Sequence, residues 1–178
     1  MPREADLDDL IVRVLRERGF GAARLNAQFS SLSESYGSPS DICEHDPSVA
    51  AIWNYNEFQI WSSLHGVIDR IFFDTSPMVA FGDCPPDLIP FRDHLPTCDA
   101  PRFLACCARD GYAVTKNDES THRIACNLKR ENTEIYAIFM SRIVERGSIM
   151  KTEDARIETP MIYDGPPRLS MLRLNTLN

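Results

Sequence analysis

The spacing of hydrophobic positions changes several times along the chain, and each change marks an element. Leu7, Leu10, Ile11, Val14 and Leu15 recur at the i, i+3, i+4, i+7, i+8 intervals of an amphipathic helix. Asp6, Asp8 and Asp9 crowd its start and Arg13, Arg16 and Arg18 its end, which complements the helix macrodipole. Gly19 is the expected left-handed residue at its C-terminal end. A second helix is predicted over 22–36, with Leu25, Phe29, Leu32 and Tyr36 on one stripe and Gly37 and Pro39 as its stop.

The period then shortens to two. Residues 52–55, 57–61 and 67–73 are aromatic and β-branched runs separated by short turns, the pattern of an antiparallel meander. Pro77, Pro85, Pro86, Pro90 and Pro96 follow within a short span, and this density predicts a connecting or binding loop over 75–96. Asp99, with Pro101 behind it, then opens a helix striped by Phe103, Leu104, Cys107 and Ala108 and ended by Gly111. Short strands are expected near 112–115, 123–128, 134–140 and 148–151, with a last one near 169–174 in a C-terminal extension, 152–178, whose final residues should fray. The predicted fold class is α+β. One domain of 178 residues packs helices on antiparallel meanders, with sub-halves of about 1–74 and 97–151 forming a pseudo-duplicated helix–meander unit.

Charge adds a location. The formal net charge is −7, yet Glu34 to Asp93 holds ten acids against two bases, a net of −8, while the flanking stretches are close to neutral. That balance argues against direct nucleic-acid binding, which relies on Lys and Arg to displace counterions from phosphates. No apolar run approaches the ~20 residues of a membrane span, and the first residues lack the apolar stretch of a secretory signal. The six cysteines are read as buried free thiols rather than a disulfide framework, so the expected compartment is the cytoplasm.

Candidate chemistry is sparse. Cys43-Glu44-His45-Asp46 is the densest group of potential ligands, but a zinc site needs wider Cys/His spacing and a second pair. His94 and Cys98 are suitably spaced, with Pro96 between them. Cys84 sits among acids, which raise a thiol pKa instead of activating it. There is no G-x-S-x-G elbow or P-loop, and Gly19-Phe20-Gly21 follows a helix where a dinucleotide motif would follow a strand. No catalytic residue, metal or cofactor is therefore assigned. Glu57 lies between aromatic strand residues and is a candidate semi-buried acid. Trp53, Tyr55, Phe58, Trp61, Phe72 and Phe73 are core material first, although two tryptophans in one hairpin also fit an interface anchor.

The stretch Tyr36-Gly37-Ser38-Pro39-Ser40-Asp41, followed by 52–60 and 67–74, resembles small bacterial proteins of the immunity type from polymorphic toxin systems. Their pattern is a helix ending in a Gly-x-Pro-x-Asp turn, a strand with Tyr-Gly-x-Glu and an apolar strand. Asn56 stands here where that pattern has Gly, and asparagine tolerates the same left-handed turn. The resemblance implies a non-enzymatic protein-binding module, an immunity protein or inhibitor that docks a basic partner such as a toxin. The expected contacts are Asp41, Glu44, Asp46, Glu57, Asp83, Asp87 and Asp93, with Trp53 or Trp61 as anchor. The alternative is a small enzyme or ligand-binding domain with an aromatic pocket between the meanders, lined by Trp53, Tyr55, Phe58 and Trp61. Glu57 and His65 would be its polar groups, with the proline-rich loop as its lid. The sequence leaves the oligomeric state open.

Overall fold

A computed structural model describes residues 4–38, 49–55, 57–75, 83–145, 149–151, 156–158 and 162–177. The fold is α+β: four helices, a seven-stranded antiparallel sheet and small two-stranded ribbons. Helix α1 spans Glu4–Glu17 and buries Leu7, Leu10, Ile11, Val14 and Leu15, the stripe that its periodicity marks. Its end differs from expectation, because Arg18 takes the left-handed conformation (φ 54°) and Gly19 instead begins a tight hairpin. Strands β1 (Gly19–Phe20) and β2 (Ala23–Arg24) approach so closely that a Cβ on Gly19 would run into the Ala23 carbonyl.

This hairpin also shortens the second helix. Residues 19–24 are paired, Asn26 turns the chain at φ 67°, and α2 begins only at Phe29, ending at Tyr36. The first meander forms as expected, with β3 (Val49–Tyr55), β4 (Phe58–Ser63) and β5 (Ile68–Asp74) pairing in sequence. The proline-rich stretch is not wholly a loop. Helix α3 runs over Ile89–His94 and a 3₁₀ turn over Leu95–Thr97, with Pro90 and Pro96 in their first turns, where a missing N–H costs no hydrogen bond. Leu88, Phe91 and Leu95 anchor this segment in the core.

Helix α4 covers Ala100–Arg109, and the Asp99 side chain caps it by accepting from the Arg102 N–H at 3.0 Å. Strands β6 (Ala113–Glu119), β7 (Arg123–Arg130) and β8 (Thr133–Glu145) form the second meander. Beyond it, β9 (Ile149–Lys151) and β10 (Arg156–Glu158) pair as a separate ribbon. The largest correction concerns the C-terminal extension. Strand β11 (Ile162–Thr176) is central, pairing with β5 on one side and β8 on the other, so the sheet order is β3-β4-β5-β11-β8-β7-β6. Leu169, Leu172 and Leu174 point into the core and are at most 1% exposed. The two meanders are thus halves of one sheet, and a single hydrophobic cluster runs from Leu7 to Leu174.

The helices pack on one face of that sheet. Phe29 of α2 stacks on Trp53, Phe91 of α3 meets Phe20, and Phe103 of α4 meets Phe139 of β8. Side chains of alternate parity, including Trp61, Arg70, Phe72, Tyr136 and Arg173, occupy the opposite, outer face.

Candidate functional site

Strand parity separates the two tryptophans. Trp53 is 0% exposed, its ring 5.0 Å from Phe29 and its indole N–H donating to the Gly37 carbonyl at 3.1 Å. It belongs to the core and has no surface for a partner. Tyr55 and Phe58 are buried beside it, and the Tyr55 hydroxyl donates to the Tyr36 carbonyl at 2.8 Å. Trp61 lies on the outer face, half-buried, 5.8 Å from Phe72 and beneath the Arg70 guanidinium. A pocket lined by Trp53, Tyr55, Phe58 and Trp61 together does not form, because three of them fill the core and the fourth faces away.

The acids of the expected docking face have three different fates. Asp41, Glu44 and Asp46 lie outside the described residues. Asp83 is exposed, and Asp93 is exposed and paired with Arg92 at 2.9 Å. Asp87 is exposed as well, but its carboxylate is tied to the chain, accepting from the Ala22 N–H at 2.7 Å and the Tyr36 hydroxyl at 2.9 Å. Gly21 makes room for this contact, since it sits at φ 55° and a Cβ there would strike the Asp87 carboxylate. Asp87 therefore fastens the segment before α3 to the β1–β2 hairpin. Burial pushes the Tyr36 phenol well above its ordinary range, and the neighbouring Asp87 charge pushes it further.

Glu57 occupies the turn before β4, where it is half-buried, and its Oε2 has no hydrogen-bond partner among the described residues. Its backbone carbonyl accepts from the Asp74 N–H at 2.8 Å. Cys84 shows that these acids converge. Burial raises its thiol pKa first, Arg92 lowers it, and Glu57, Asp87 and Asp93 raise it again. Four charged side chains separated by up to 36 positions in sequence thus act electrostatically on one sulfur. The arrangement disfavours a thiolate, so it does not prepare Cys84 as a nucleophile.

The other described cysteines are buried and free. Burial pushes Cys98 up to about 12 and raises Cys106, Cys107 and Cys126 as well, which marks them as packing residues. Among the described residues, no three His, Cys, Asp or Glu side chains gather in a way that could hold a metal. His65 is exposed in the turn after β4 and His94 closes α3.

Clefts open on the described surface at two places away from these residues. One, of about 630 Å³, lies between β8 and β11 near Met140, Arg142, Asp164 and Arg168, where the register of the two strands breaks. The other, of about 420 Å³, lies on the outer face around Arg70 and Arg173. Neither contains the aromatic residues that the sequence singles out. The arginine cleft is the site that sequence reasoning missed. Its signal was a charged residue held within apolar alternation, as in Ile68-Asp69-Arg70-Ile71-Phe72 and Leu172-Arg173-Leu174.

No protein-family model matches this chain, and comparisons with curated proteins and with solved structures also return no match. Among the described residues, no helix is long and apolar enough to cross a membrane.

Proposed function

We propose that the protein is a non-enzymatic protein-binding module, an immunity protein or inhibitor, that docks a basic partner through its acidic end. The observation that carries this reading is the convergence of Glu57, Asp87 and Asp93 around Cys84, with Asp83 exposed next to that cysteine in the chain. Concentrated negative charge steers a basic partner to one end of the molecule and disfavours acidic competitors. Within this face Asp83 and Asp93 are the contact residues, and Asp87 holds the loop that presents them. Trp61 is on the sheet's outer face, so the anchor role drawn for the tryptophans is not part of this surface.

The test is binding to the product of the neighbouring gene, measured by calorimetry at several salt concentrations. The double substitution Asp83→Lys and Asp93→Lys should weaken binding at least about tenfold at low salt and flatten its salt dependence. Unchanged affinity with an unchanged salt slope overturns the acidic-end model. Absence of any binding to that product overturns the immunity reading.

A further inference from the structure

The outer face of the sheet carries a cleft of about 420 Å³ where β5, β11 and β8 lie side by side, lined by Asp69, Arg70, Glu134, Arg173, Asn175 and Thr176. Register explains the grouping. Arg70, Asn175 and Glu134 face one another across three neighbouring strands, and Arg173 sits one pleat along, between Phe72 and Tyr136. Both guanidiniums lie against aromatic rings. Arg70 is 5.0 Å from the Trp61 ring centre, and Arg173 is 6.0 Å from that of Phe72 and 5.4 Å from that of Tyr136. Stacking of this kind fixes the plane of the fork while leaving its N–H edge for a planar oxyanion.

Neither arginine forms an ion pair among the described residues, and the buried Arg173 Nε has no hydrogen-bond partner among them. Asn175 Oδ1 and Thr176 Oγ1 are likewise buried without a partner. Buried donors and acceptors left unpaired are costly, and Arg173 and Asn175, which share the outer face, carry one of each beside the cleft. Glu134 decides the charge of a ligand here. It lines the same space and is only loosely held by Lys129 at 3.3 Å. A bare phosphate or a dicarboxylate would face this acid with nothing to offer it. A zwitterion satisfies both sets, and the volume lies at the small end of the range for ligand sites, ~300–1,000 Å³.

We propose that this cleft binds a free α-amino acid. Its carboxylate lies on the Arg70 and Arg173 forks, and its ammonium faces Glu134 across from Asn175. The site is independent of the acidic end and stands or falls separately from it.

The two indole N–H groups supply the assay. Trp61 lies under Arg70, whereas Trp53 is bonded to Gly37 in the core, so its proton–nitrogen NMR signal is an internal reference for the intact fold. Each of the twenty L-amino acids is titrated alone into the full chain, with succinate and inorganic phosphate as comparison anions. At least one amino acid should shift the Trp61 signal saturably while the Trp53 signal stays in place. Arg173→Met and Arg70→Met should each weaken that binding about tenfold or more, the loss of a charge-assisted pair. Should Arg173→Met also lose the Trp53 signal, Arg173→Lys replaces it, keeping the charge and removing the fork, with the same loss expected. Saturation by no amino acid, equal binding of phosphate or succinate, or undiminished binding by the arginine variants overturns the proposal.

Discussion

The two faces of the seven-stranded sheet use the same residue types for different ends. On the inner face, Phe20 meets Phe58 and Phe91 edge to face at 5.3 and 5.4 Å, and Trp53 closes against Phe29. On the outer face, Trp61, Phe72 and Tyr136 each carry an arginine, whereas among these inner rings only Phe91, under Arg13, does so. The difference follows from where the helices lie, since rings covered by helices find mostly apolar neighbours and uncovered rings are left for amphipathic ones. A guanidinium covers an aromatic face and still keeps its charge in contact with water. The outer face is thereby shielded without being sealed, which leaves polar groups there to meet a ligand.

The comparison predicts unequal costs for equal truncations. Trp53→Ala should destabilise by about 3–5 kcal/mol, because it opens a large cavity and leaves the Gly37 carbonyl without its donor. Trp61→Ala removes a half-buried ring and one cation–π contact, for which about 1 kcal/mol is expected. Urea denaturation of the two variants measures both. A Trp61 cost equal to that of Trp53 would mean that the outer face is a second core.

How far the fold was readable from sequence depends on the range of the interactions that set each element. Local signals worked: the α1 stripe, the Asp99 cap with Pro101 behind it and the alternation of the first meander all reappear in the structure. Signals that needed distant partners failed. Pro90 and Pro96 mark helix starts only once Leu88, Phe91 and Leu95 have a core to enter. Strand β11 looked terminal because its two neighbours lie about 40 and 100 positions away. For the site, Trp53 and Trp61 were expected together, because the pairing that turns them to opposite faces and the face that the helices cover are both set by distant contacts. Arg70 and Arg173 meet only through register, and acid counting could not show that of two exposed acids Asp87 is hydrogen-bonded to Ala22 and Tyr36.

A second, smaller effect separates acids that hold the structure from acids that present charge. Asp87→Ala removes the acceptor of the Tyr36 hydroxyl and leaves the Ala22 N–H only its 3.2 Å bond to that hydroxyl, and about 1–2 kcal/mol of stability should go with it. Asp83→Ala, at an exposed position with no ion pair among the described residues, should stay within about 0.5 kcal/mol. Equal costs would abolish the distinction between fastening and docking acids.

The smallest effect is an alkaline one, and its sign follows from Tyr36. Burial first, then Asp87, raises the folded-state pKa of this phenol above its unfolded value of about 10. The folded protein therefore holds the proton more tightly. The resulting stability is fully present below about pH 10 and is lost as pH rises further toward the folded pKa. Buried thiols such as Cys98, raised to about 12, add a loss that begins lower, near pH 8.5 where unfolded cysteines ionise. The contribution of Tyr36 is isolated by comparing the wild type with Tyr36→Phe. Relative to its own stability at pH 8, the variant should lose roughly 1 kcal/mol less on reaching pH 11, once the partial exposure of the group is allowed for. Parallel alkaline profiles for the two proteins would show that neither burial nor Asp87 holds the phenol's proton in the folded state.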